Sequence, residues 1–297
     1  MSYVSKPLEQ LDLLDDFLIN AVASDEHVGI PCCRKILSVL LQREIGKIRI
    51  TAQKVFPGVI PGLHGIRMDV EVEEFSLKND STLNVYDLEP HPQKGVNFPK
   101  HNRFYQAKID SRYMRSGDND FSKMPNLYVI TITNYDLFGK DYMMYTFRNK
   151  CVEVPELPYE DGLQFIYFNT TGKNGGCKEI SDLLRYMENS NAANAVDDTT
   201  TEIHRYVEEV KITPEVRNGY MRFDDIIAWE REDAVIANMV QNILDLLNDY
   251  GSIPDSLKER LVATTDLHML KHWLKLAAKS DSLEAFLQQM EQAPTEN

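Results

Sequence analysis

The stretch that decides the fold lies at 65–106, where GIRMDVEVEE (65–74) leads through a polar turn, KNDST (78–82), into LNVYDLEPH (83–91). It ends in the opening of a helix, FPKHNRFYQAKID (98–110). Apolar and polar residues alternate at Ile66, Met68, Val70 and Val72 and again at Leu83 and Val85, the period-two pattern of half-buried strands. The two runs therefore read as a hairpin. Pairing them side by side brings Asp69 and Glu89 together near strand ends, with a helix rich in Arg, Gln and Lys packed behind. Two carboxylates converging beside a basic helix make a candidate site for a divalent metal.

Around this hairpin the chain has 297 residues, enough for one large domain and a smaller one. A hydrophobic fraction of 43% and a charged fraction of 26% are ordinary for a globular protein. No apolar run approaches the roughly 18 to 20 residues of a membrane helix, and the start, MSYVSKPLEQLDLLDD, has neither a basic region nor an apolar core of a signal peptide. A cytoplasmic protein without a membrane partner is expected. Cys32, Cys33, Cys151 and Cys177 have no zinc-binding spacing and read as reduced thiols. The net charge of −14 argues against broad, non-specific adhesion to DNA, so any DNA contact requires basic residues gathered on one face.

Leu11, Leu14, Leu18 and Val22 predict an amphipathic helix over 9–26, and Pro31 opens a second to about 42. KIRITAQKVF (47–56), NLYVITITN (126–134), YMMYTF (142–147) and LQFIYFN (163–169) read as strands from their β-branched and aromatic content. The order of elements predicts a mixed α/β sheet flanked by helices, followed by an all-helical C-terminal region. Composition shifts suggest domains at 1–177, 178–250 and 251–297, with the polar NAANAVDDTTT as a hinge and helices at 215–231 and 234–250. In the last segment Leu267, Leu270, Trp273 and Leu274 form an apolar stripe that needs a partner, within the chain or from a second copy.

On these residues the chain resembles the PD-(D/E)XK nuclease superfamily, and within it the transposase-like recombination-promoting nuclease (Rpn) group. The resemblance is carried by LLDDFLINAVASDE, GIRMDV, VYDLEPH, NRFYQAKIDSRYMRSGDND, LYVITITNYDLFGKDYMMYTFRN and VPELPYEDGLQFIYFNTTGK, most of residues 11–173 in one order. It implies a restriction-endonuclease-like sheet in which Asp69, Glu89 and the carbonyl of Pro90 hold Mg2+ or Mn2+. It also implies that Asp16 reaches the metal through water as a third acidic group, and that Arg103 and Gln106 lie by the active site. The third motif position, Lys in the superfamily and often Gln in this group, is His91 here.

The function implied is a metal-dependent DNA endonuclease hydrolysing phosphodiester bonds. A homodimer is expected, since cutting both strands of a duplex is easiest with two symmetry-related sites. The alternative, motivated by the acidic net charge and by His91, is a catalytically decayed nuclease scaffold that binds DNA or another protein.

Overall fold

A computed structural model of the chain describes residues 6–56, 66–78, 81–91, 97–114, 117 and 119–292, with the backbone alone described at 53–56, 66–69, 223–231 and 291–292. It divides into two compact units, Lys6–Tyr220 and the segment from Met221 onward. In the larger unit, α1 (Asp16–Ser24) and α2 (Gly29–Leu41) precede β1 (Lys47–Phe56), β2 (Ile66–Phe75) and β3 (Thr82–Pro90). Then come α3 (Phe98–Asp110), β4 (Asn126–Thr133), β5 (Met144–Phe147), β6 (Leu163–Asn169), α4 (Lys178–Glu188) and α5 (Asp198–Lys211), and α6 (Pro214–Asn248) begins in this unit and continues past Tyr220 into the smaller one. Among the described residues the strands form one six-stranded mixed sheet in the order β1-β2-β3-β4-β6-β5.

The expected hairpin forms. Val70 pairs with Leu88, Glu71 with Asp87 and Val72 with Tyr86 in antiparallel register. Directly opposed residues share a face, so alternation gives this part of the sheet one apolar and one acidic side. Val70, Val72, Tyr86 and Leu88 turn into the main core, where Leu18 of α1, Ile36 of α2, Leu183 of α4 and Val207 of α5 cover them. The other face carries Glu71, Val85 and Asp87 beneath α3. β3 pairs in parallel with β4, and β4 with β6. β4 is buried on both faces over 129–133, as its unbroken apolar run requires of a central strand.

Two boundaries differ from the sequence reading. The division falls after Tyr220 instead of at 177 and 250, because α4 and α5 are not an extension. Ile180, Leu183, Leu184 and Met187 of α4 and Ile203, Val207 and Val210 of α5 lie in the same core as the hairpin. The polar segment between them is a set of caps. The Asn191 side chain accepts from the amides of Ala193 and Asn194, and Asp197 and Thr200 form a capping box that starts α5. The helices expected at 215–231 and 234–250 are one helix, α6, since nothing in the intervening Arg-Glu-Asp-Ala breaks a helix.

In the smaller unit, α7 (Asp255–Ala263), α8 (Leu267–Ala277) and α9 (Leu283–Gln292) surround a second core. Leu270 and Trp273 are buried there against Leu247, Leu257, Leu261 and Phe286, with Leu274 packed alongside. The apolar stripe thus finds its partner within the chain. No helix among the described residues is long and apolar enough to cross a membrane.

One buried charge ties α2 to the hairpin. α2 ends on Gln42 in the left-handed region (φ 50°), and the chain turns back so that Glu74 can be reached from several sides. Glu74 is 6% exposed. It accepts from the Gly46 amide (2.7 Å), Asn84 Nδ2 (2.8 Å), Arg43 Nη2 (3.1 Å) and the Tyr86 hydroxyl. Burial works to raise its pKa, but the hydrogen bonds outweigh burial and hold it below the ordinary carboxylate range. A lowered folded pKa means stability present above the unfolded value of about 4.3 and lost as pH falls through the folded value. Glu74→Gln should therefore cost about 1–3 kcal/mol at pH 7 in urea unfolding. The gap to wild type should close toward pH 3, and a gap that stays constant with pH would show that Glu74 is not held as an anion.

Candidate active site

α3 is placed by its own sequence. Asn97 caps it by accepting from the Lys100 amide, Pro99 lies in its first turn, and Phe98, Asn102 and Ile109 form its buried side. That side sits on Val85, Leu127 and Val129, with Tyr105 and Tyr113 packed at the margins. A polar residue in such a stripe must be satisfied locally. Asn102, 1% exposed, donates from Nδ2 to Thr131 Oγ1 at 2.9 Å. Its Oδ1 lies 3.1 Å from His101 Nδ1.

Thr131 occupies the middle of a row that the parallel strands hold in register, Glu89 on β3, Thr131 on β4 and Tyr167 on β6. Glu89 is 7% exposed, on the face covered by α3. Asp69 is one residue before Val70 on β2, and Glu89 one residue after its partner Leu88, so the hairpin carries the two acids on adjacent strands. The Asp69 side chain lies outside the described residues. Pro90 ends β3 beside Ile132, and the His91 amide continues the pairing by donating to the Ile132 carbonyl at 2.7 Å. Asn102 also hydrogen-bonds Tyr167, which partly offsets the burial that pushes its phenol up to about 12.

Residues that sequence reasoning passed over sit in the same layer. Glu71 and Asp87 face each other across the hairpin and are completely buried. Arg112, just beyond α3, grips both oxygens of Glu71, with Nη1 at 3.0 Å from Oε1 and Nη2 on Oε2. Tyr113 donates to Glu73 at 2.9 Å, and burial followed by the Glu73 charge raises its pKa. The signal was available. Glu71 and Asp87 have the parity of Asp69 and Glu89 along their strands, and Asn102 falls within the apolar stripe of α3.

The remaining candidates are placed as follows. His91 is half-buried with its ring edge-on to Phe98, the centroids 4.9 Å apart. Burial first, and then the nearby His101 charge, lowers its pKa below the usual 6.5, so its imidazole is neutral at physiological pH. Gln106 donates to Asp110, whose pKa is raised by burial against that hydrogen bond. Arg103 is exposed and, with Gln106, lines a groove toward β5 and β6, away from Glu89. Asp16 is exposed in the first turn of α1, which packs on the opposite face of the sheet, so the described geometry does not bring it to Glu89.

Whether these residues suit a divalent ion depends on their donors. Asp87 and Glu89 offer carboxylate oxygens, the hard donors that Mg2+ and Mn2+ prefer, with no thiolate nearby to select a softer metal. Glu71 is committed to Arg112. Among the described side chains no three acidic, His or Cys groups converge on one point, so a complete ligand set needs Asp69. Compared with known protein families, with curated proteins and with solved structures, the chain matches none.

The Arg112–Glu71 pair should be structural. Arg112→Ala leaves a fully buried carboxylate without its guanidinium and should cost about 3–5 kcal/mol in urea unfolding. Adding Glu71→Gln should return a substantial part of that loss. An additive double variant would show that the two side chains are not coupled.

Proposed function

We propose that the chain is a divalent-metal-dependent endonuclease that hydrolyses phosphodiester bonds in DNA, built on a restriction-endonuclease-like sheet of the PD-(D/E)XK superfamily and related to its transposase-like Rpn group. The observation that carries this reading is the β2–β3 register, which sets Asp69 and Glu89 on adjacent strands with Glu89 buried under α3. Asp69, Glu89 and the Pro90 carbonyl would hold Mg2+ or Mn2+. When bound, such an ion activates water and offsets charge developing on the phosphate. His91, neutral and fixed through its amide to β4, orients the attacking water by a hydrogen bond that Gln could also make. Proline at position 90 lacks an N–H but keeps its carbonyl, and it holds Glu89 extended. Lys100, Arg103 and Lys108 on α3 supply the local cations that a chain of net charge −14 needs to approach a phosphate backbone.

The second reading, a scaffold that binds DNA or protein without cutting, draws on the lack of a three-ligand cluster among the described residues. Dimerisation loses one of its motives, because the tail stripe is buried in its own unit.

Nicking of supercoiled plasmid separates the two. Asp69→Ala and Glu89→Ala should each lower Mg2+- or Mn2+-dependent nicking by orders of magnitude. Activity that survives both changes, or excess EDTA, contradicts the site. His91→Gln should keep most activity, whereas His91→Ala should lose about 10²-fold. Because the His91 pKa is lowered, protonation should silence the enzyme only in acid, with a midpoint below about 6.5. A midpoint above that value, or none, would remove neutral His91 from the positioning of the water.

A further inference from the structure

β5 and β6 are joined by the loop 148–162, far longer than an antiparallel pair needs. Its neck is tied. Asn149 Nδ2 donates to Asp161 Oδ2 at 2.7 Å, and Asp161 Oδ1 accepts from the Leu163 amide at 3.0 Å. Its tip is a turn in which the Leu157 amide donates to the Val154 carbonyl at 3.0 Å, with Pro155 where a fixed φ favours turning and Pro158 just beyond. Two prolines and a closed neck lower the entropy that such a loop loses on binding. The loop nevertheless turns its apolar side chains outward. Val152 is 83% and Leu157 53% exposed, with Val154 and Tyr159 also at the surface. Glu153, Glu156 and Glu160, exposed as well, alternate with them. A constrained loop that presents apolar groups to water marks a contact surface.

A surface that fits this loop lies on the same unit. Beside α3 a groove of about 420 Å³ is walled by Phe138, Phe147, Phe165 and Tyr167, and Arg103 is its charged lining residue. The loop after β4 fixes one wall, where the Asp136 carboxylate accepts from the amides of Phe138 (3.0 Å) and Asp141 (2.6 Å). This sets the Phe138 ring edge-on to Tyr167 at 5.2 Å. The loop does not fill the groove of its own chain, since residues 152–160 all stay exposed. Apolar side chains interspersed with acids match an aromatic groove bordered by a guanidinium in both hydrophobicity and charge. Loop and groove both belong to the β5 edge of the sheet, so a two-fold axis there lets each copy give its loop and receive the other's. We propose that this edge is a homodimer interface in which the 152–159 loop of each copy enters the aromatic groove of the other. The exchange is closed, so it stops at two chains, and it does not depend on the nuclease reading.

Sedimentation equilibrium of the full chain across roughly 1 to 100 µM, where an interface of ordinary size associates, tests the exchange. Wild type should show twice the mass of one chain. Leu157→Asp on the loop and Phe147→Asp in the groove should each raise the dimer Kd by about 30-fold or more. Both positions are exposed in the single chain, so urea midpoints should stay near wild type. Val154→Asp supplies an independent break on the loop, should Phe147→Asp disturb its strand. Mixing the Leu157→Asp and Phe147→Asp proteins is the sharpest arm. The first keeps an intact groove and the second an intact loop, so the mixture regains one of the two contacts and should associate more tightly than either variant alone. A wild type that stays monomeric or grows beyond a dimer overturns the proposal. So does a dimer indifferent to the loop variants, or a mixture no tighter than its components.

Discussion

Everything placed on the acidic face depends on the dry contact between Asn102 and Thr131. Asn102 lies in the apolar stripe of α3, where an unsatisfied amide costs on the order of 1–3 kcal/mol, and Thr131 on the central strand meets its Nδ2. This pins the helix in both rotation and height. Because β3, β4 and β6 are parallel and in register, pinning α3 at Thr131 also sets it against Glu89 on one side and Tyr167 on the other. Glu89, Thr131 and Tyr167 thus stand side by side on one row beneath the helix.

The same face carries an electrostatic conflict that the fold resolves locally. Glu71, Asp87 and Glu89 are buried within two neighbouring strands, and like charges so close oppose one another. Arg112 settles one of them with a two-pronged contact, and its guanidinium suits that role better than an ammonium would. The acid paired with Arg112 on β2 and the candidate acid Glu89 on β3 therefore stand one strand apart. The Glu74 cluster on the sheet's other face is the same device with more donors and no catalytic part.

How much of this was legible in the sequence varies with the range of the contact. The hairpin, the strand at 126–134 and the helix after Pro99 followed from local periodicity, and the mixed α/β class followed from their order. The association of α4 and α5 with the main core did not, because Leu183 and Val207 announce an apolar stripe without naming the surface it covers. The tail stripe was read correctly as needing a partner, and only the three-dimensional packing shows Leu270 and Trp273 against Leu257 and Phe286. In the site, Asp69 and Glu89 stood out through motif spacing, whereas Glu71 and Asp87 required the register. Asp16 was tied to the site by resemblance, and the layer order puts its helix on the opposite face.

The central claim is that Asp69 and Glu89 form one divalent-ion site on the hairpin. Calorimetric titration of the metal-free protein with Mn2+, set beside Asp69→Asn and Glu89→Gln, tests it without relying on turnover. The account predicts a saturable heat in the wild type that either substitution abolishes while urea midpoints stay within about 1 kcal/mol of wild type. Equal Mn2+ binding in all three proteins, or none in the wild type, would contradict it.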